Sequence, residues 1–123
     1  MEMINKIEFS EQTSILFLDD DPTRRKLFKS KFPWATIVET AQECIKELEK
    51  DWDYASFDHD LGGIVFQDSR EENSGSAVVR WIEEHKPNIG QIIIHSYNAS
   101  AAQAMKAALI RSEYDVVYLP FCI

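Results

Sequence analysis

Short apolar runs alternate along this chain with longer stretches in which apolar side chains recur every three to four residues. Ile15-Leu16-Phe17-Leu18 and the segments 36–39, 53–58, 91–94 and 116–119 are strand-sized and rich in β-branched or aromatic residues. Between them the pattern has the period of a helix. Asp21-Pro22 reads as N-cap and first helical residue, because proline's missing N–H costs nothing in the first turn, and this helix runs to about Lys31, ahead of Pro33. Thr40-Ala41-Gln42-Glu43 has capping-box spacing and opens a second helix reaching Lys50, with Ile45 and Leu48 inward. Ser74 starts a third, with Val78, Val79 and Ile82 inward, and 100–111 form a fourth. Strands alternating with helices predict an α/β fold built on a parallel sheet. Ile4, Ile7 and Phe9 offer an extra N-terminal strand at the sheet edge.

Three of the strands run directly into polar clusters: Asp19-Asp20-Asp21, Asp58-His59-Asp60 and His95-Ser96-Tyr97-Asn98. In an open parallel sheet, ligands bind beyond the carboxyl ends of the strands where the strand order reverses, so all three clusters are directed to one site. The segment 61–73 at that edge is longer than the roughly two to six residues usual for such connections.

The 123 residues fit a single domain, with 1–13 as an N-terminal extension. A net charge of −8 argues against an extended nucleic-acid surface, whose affinity comes from Lys and Arg, but allows a terminal phosphate held through a metal. No apolar run approaches the ~20 residues that span a bilayer, and the first residues lack a signal-peptide core, so a cytoplasmic, membrane-free protein is expected. Cys44 and Cys122 lack metal or redox spacing and read as reduced thiols.

Asp19, Asp20 and Asp58 bring hard oxygen ligands together, which suits Mg2+ or Mn2+. Aspartates after strands also cap helices, but three uncompensated carboxylates at one edge would repel one another. Asp60 is open to either reading. His59 and His95 titrate where a general acid or base is useful, and with Asp58 they are the candidate catalytic residues. Alternatively His95 is a satisfied strand-end histidine and His59 hydrogen-bonds the long loop; a third reading makes both Zn or Mn ligands. Ser96 and Asn98, beside a helix start, are candidate phosphate-binding residues or N-caps. Arg24 and Arg25 lie in the first turn of their helix, able to swing toward a phosphate or to stay solvated.

Acidic residues after strand one, an aspartate ending strand three, a hydroxyl after strand four and Pro-Phe after strand five together resemble the receiver domain of bacterial response regulators, over about 15–121. The resemblance implies a flavodoxin-like sheet in order 2-1-3-4-5, with Mg2+ bound and a phosphoryl group accepted at the positions of Asp19, Asp20, Asp58 and Ser96. That family's lysine is replaced by Leu119. Phe57-Asp58-His59-Asp60-Leu61-Gly62, Ser74-Gly75 before Trp81, and His95-Ser96-Tyr97-Asn98 with Met105 downstream resemble the divergent cyclic-phosphate-processing receiver domains. This implies a metal-dependent phosphoesterase acting on a small cyclic nucleotide or an RNA-end 2′,3′-cyclic phosphate. A non-catalytic binding module and a phosphoacceptor receiver without the lysine are the alternatives. A receiver also ends in a further helix, whereas this sequence stops two residues after Phe121; the bare sheet face would be covered by the N-terminal segment or by a second copy in a homodimer meeting at Phe121 and Ile123.

Overall fold

The computed structural model describes residues 12–64 and 66–121, in which five strands and four helices alternate. These are β1 (Ile15–Leu18), α1 (Pro22–Lys31), β2 (Thr36–Val38), α2 (Ala41–Glu47), β3 (Trp52–Phe57), α3 (Gly75–His85), β4 (Ile89–Ile94), α4 (Ala99–Arg111) and β5 (Val116–Tyr118). All strand pairs are parallel, in the order β2-β1-β3-β4-β5.

The helix starts follow the local chemistry. The Asp21 carboxylate accepts the backbone N–H groups of Thr23 and Arg24, with Pro22 in the first position. Thr40 and Glu43 form the reciprocal capping box, Oγ1 accepting from Glu43 N and Glu43 Oε1 accepting from Thr40 N, each at 3.1 Å. The α2 helix is shorter than its pattern predicts: it closes at Glu47, and the residues up to Lys50 form a turn carried by the N–H groups of Leu48, Glu49 and Lys50. In contrast β3 and β4 begin earlier than predicted, at Trp52 and Ile89, because these two residues pair with each other across the sheet.

Alternation along the strands sends successive side chains to opposite faces. Leu16, Leu18, Ala55, Phe57, Ile92 and Ile94 meet Cys44 of α2, Val78, Val79 and Ile82 of α3, and Met105 and Leu109 of α4. Ile15, Phe17 and Ile93 take the other face, against Phe28, Phe32 and Phe121. Burying each such side chain fully is worth ~1.5–3 kcal/mol relative to exposure. Phe121 is 2% exposed and its ring centroid lies 5.9 Å from that of Phe17, so it belongs to the chain's own core and is not presented to a second copy, as the sequence pattern had implied. The N-terminal segment with Ile4, Ile7 and Phe9, and Ile123, lie outside the described residues.

Candidate functional site

Leu18, Phe57 and Ile94 stand in register across β1, β3 and β4. The ladder continues one residue further: Asp58 N donates to Leu18 O and His95 N to Phe57 O, both at 3.0 Å, while Asp19 N donates to Val38 O at 3.1 Å. Backbone pairing therefore holds Asp19, Asp58 and His95 side by side. By strand alternation they share the face of Phe17, Ser56 and Ile93, the face covered by α1.

One carboxylate oxygen from each of Asp19, Asp20 and Asp58 lies within 4.8 Å of the others. A set of carboxylate oxygens with no sulfur or imidazole fits a hard cation such as Mg2+ or Mn2+. Neither His59 nor His95 belongs to it. Asp20 is steadied from the long loop, its Oδ2 accepting from Gly63 N at 2.6 Å.

Arg24, left open between phosphate and solvent by its sequence position, is built into the cluster. Its Nε donates to Asp19 Oδ2 at 2.8 Å, and one terminal nitrogen donates to Asp19 Oδ1 at 3.0 Å and reaches Asp58 Oδ2 at 3.5 Å. The signal for this was present: side chains in a helix lean toward its N-terminus, so a first-turn arginine is aimed back at the strand end that precedes it. Arg25 braces the same turn, donating to the carbonyls of Asp19 and Asp20 and pairing with Glu39 at 3.1 Å.

These contacts separate two carboxyl groups that look equivalent in sequence. Burial pushes the Asp19 carboxyl up, but hydrogen bonds from His95 and Arg24 outweigh it and hold the group at about 2. At Asp58 burial wins, with the Asp19 charge adding to it, and its carboxyl is raised above the ordinary value.

The structure does not bring the two imidazoles together across the site. His95 is buried on the α1 face, with Nε2 3.0 Å from Asp19 Oδ2, Nδ1 2.6 Å from Ser56 Oγ and its ring stacked on Phe17. His59 lies two residues beyond Phe57, hence toward the opposite face, and is also buried. Its Nδ1 is 2.8 Å from Asp60 Oδ1, and its Nε2 is 3.1 Å from the hydroxyls of both Ser69 and Ser76. Asp60 organises the loop rather than joining the acidic set: it accepts from Phe66 N, Gln67 N and Asn98 Nδ2. Asn98 also caps α4 through Ala101 N, and Ser96 Oγ accepts from Asn98 N at 3.0 Å. Leu119, which the sequence resemblance sets at the position of the receiver lysine, packs half-buried on the Phe17 cluster.

Above the carboxylates opens a cavity of about 430 Å³. Its lining includes Asp20, Asp21, Asp58 and Asp60 with Arg24, and Ile64 and Tyr97 complete the wall. Within the described residues no helix is long and apolar enough to cross a membrane.

Residues 14–111 match the family model described as Cyclic-phosphate processing Receiver domain. Among solved structures the chain is similar to a response regulator from Colwellia psychrerythraea (16% identity, 86% of this chain and 81% of that one, TM-score 0.61). It is also similar to a CheY-like response regulator receiver domain from Methylobacillus flagellatus (16% identity, 90% and 87%, TM-score 0.61). A third is the isolated REC domain of RcsB from Salmonella enterica serovar Typhimurium, solved in the presence of phosphomimetic BeF3− (18% identity, 86% and 76%, TM-score 0.56). At such identities the likeness is one of fold. No curated protein matches the chain.

Proposed function

The chain belongs to the cyclic-phosphate processing receiver family, and on that premise we propose that it hydrolyses a cyclic phosphodiester, carried by a small nucleotide or an RNA 2′,3′-terminus, with the help of a divalent cation. The observation that supports this most is the convergence of Asp19, Asp20 and Asp58 beside a cavity large enough for a phosphate ester. Mg2+ or Mn2+ held by these three residues supplies charge neutralisation and polarisation of a phosphoryl oxygen.

The chain's own residues set the geometry. The N–H of His59 holds Asp58 Oδ1 at 2.8 Å, which leaves Oδ2 for the site. His95 acts through Asp19 as a positioning residue, and His59 acts through Asp60 and Ser69 on the loop that forms the cavity wall, and through Ser76 of α3. Ser96 and Asn98 support the phosphate-side wall from behind, since Ser96 Oγ accepts from Asn98 N and Asn98 ties the start of α4 to Asp60. In the reaction water adds at phosphorus, one ester P–O bond breaks, and the released alkoxide takes up the proton that water gives up, leaving a phosphomonoester and a free hydroxyl.

The deciding experiment incubates 2′,3′-cyclic, 3′,5′-cyclic and cyclic dinucleotide phosphates with Mg2+ or Mn2+, using Asp58→Ala as control. Metal-dependent ring opening that Asp58→Ala lacks supports the proposal, and no turnover of any of them rejects it. One observation favours a second reading, phosphoacceptance at Asp58: this residue directly follows β3 and lines the cavity, and the similar RcsB domain was solved with a phosphomimetic. Beryllofluoride binding that needs Asp58, without turnover, selects that reading.

A further inference from the structure

Among the described residues lining the cavity, four are aspartates and Arg24 is the one cation. A phosphodiester brings another negative charge into this wall, so charge balance alone calls for positive groups. The end of β5 supplies none, because Leu119 packs into the apolar cluster. We infer that Arg24 is the phosphate-binding cation of this site, set free by leaving Asp19 when the carboxylates take up a divalent cation; this rests on the metal-dependent reading above.

Both oxygens of Asp19 are already occupied. Oδ1 accepts from Asp21 N and Arg24, and Oδ2 accepts from Arg24 Nε with His95 Nε2 beside it. A metal bound through Asp19 must displace one of these donors. The Asp21 N–H belongs to the backbone, and His95 is wedged between Ser56 and Phe17, 1% exposed. Arg24 is held only by its long side chain, which is 24% exposed. It is the donor that yields. A further contact is already in place: with Arg24 still on Asp19, its guanidinium carbon lies 5.7 Å from the centroid of the Tyr97 ring, which lines the same cavity. From there a planar fork of N–H donors matches two phosphate oxygens, which a lysine ammonium does not.

The test titrates the wild-type chain, Arg24→Gln and Arg24→Lys with Mn2+ by calorimetry, and then titrates each Mn2+-saturated protein with inorganic phosphate. Arg24→Gln removes the competitor, so it should bind Mn2+ several-fold more tightly and phosphate at least about tenfold more weakly. Arg24→Lys keeps the charge that balances Asp19, protecting the fold, and should still bind phosphate several-fold more weakly than wild type. Two Mn2+-loaded variants that bind phosphate as wild type does overturn the inference while leaving the metal site standing. So does an Arg24→Gln protein with weaker Mn2+ binding, or a wild type that binds Mn2+ but no phosphate. A wild type that binds no Mn2+ overturns the metal-dependent reading and this inference with it.

Discussion

Gly75 packs so closely on the end of β3 that a β-carbon there would collide with the carbonyl oxygen of Asp58. The same atom would lie 2.8 Å from both His59 Cα and Met105 Cε, so the first residue of α3 has room only for hydrogen. Gly75 N in turn donates to His59 O at 2.9 Å. Gly75→Ala should therefore push β3 and α3 apart, costing on the order of 1–3 kcal/mol and displacing Asp58. Thermal melts with and without Mn2+ check this: the variant should melt lower and gain less from the metal. An unchanged melting temperature would show that the contact relaxes freely.

His95 serves two buried partners at once, the Ser56 hydroxyl and the Asp19 carboxylate. His95→Ala strips both and leaves a space beside Phe17, so a loss of roughly 1–3 kcal/mol is expected, with weaker Mn2+ binding because Asp19 loses an orienting contact. Calorimetric Mn2+ titration alongside chemical denaturation separates the two effects. Stability lost with Mn2+ affinity intact would reduce His95 to a packing residue.

His59 should behave differently. Its side chain ties down the loop, whereas its contact with Asp58 is made by the backbone N–H, which survives substitution. In His59→Ala the amides of Phe66 and Gln67, which donate to Asp60, should exchange faster while Mn2+ affinity changes little. Hydrogen exchange resolved to the 61–73 segment reads this directly. Unchanged protection there, or a large loss of metal affinity, would contradict the assignment.

Asp19 and Asp58 should affect acid stability in opposite senses. Asp19 is lowered from 3.8 to about 2 on folding, so its ionised form stabilises the native state fully above pH 4, and this contribution fades as the pH falls toward 2. Asp58 is raised, so its ionisation costs stability as the pH climbs above its unfolded-state value of 3.8. In metal-free protein at pH 7, Asp58→Asn should melt a few degrees higher than wild type and Asp19→Asn lower. Melting curves between pH 2 and 7 check both signs. An Asp58→Asn variant less stable than wild type at pH 7 would show that the favourable contacts with His95, the His59 N–H and Arg24 together outweigh burial.

Divalent metal should raise the melting temperature of the wild type by mass action, because only the folded chain holds the three carboxylates together. The double variant Asp19→Ala, Asp58→Ala should show no such shift with Mg2+ or Mn2+. Equal shifts in both proteins would place metal binding elsewhere.

Features decided by neighbouring residues were legible in the sequence itself. Asp21 before Pro22, Thr40 with Glu43, and Ser74 cap their helices as their spacing indicates, since a cap is a contract among three or four consecutive residues. The strand ends carrying Asp19, Asp58 and His95 were equally clear, and the sheet order brings them to one edge. Other features depended on partners distant in sequence. Whether Trp52 and Ile89 extend their strands was settled by their pairing with each other, and Phe121 became core because Phe17 and Phe28 left a place for it. The same holds within the site. His59 and His95 each follow a strand, but the residue at which each leaves the ladder sends one to the loop and the other to Asp19, and only the assembled sheet defines that step. Arg24 is open in sequence between reaching toward a phosphate and staying solvated, and the packing of α1 on the sheet sets it against Asp19 and Asp58. Residue types and their order along the chain determine which chemistry is available at the edge; register and helix packing, which are long-range, decide which of those groups meet.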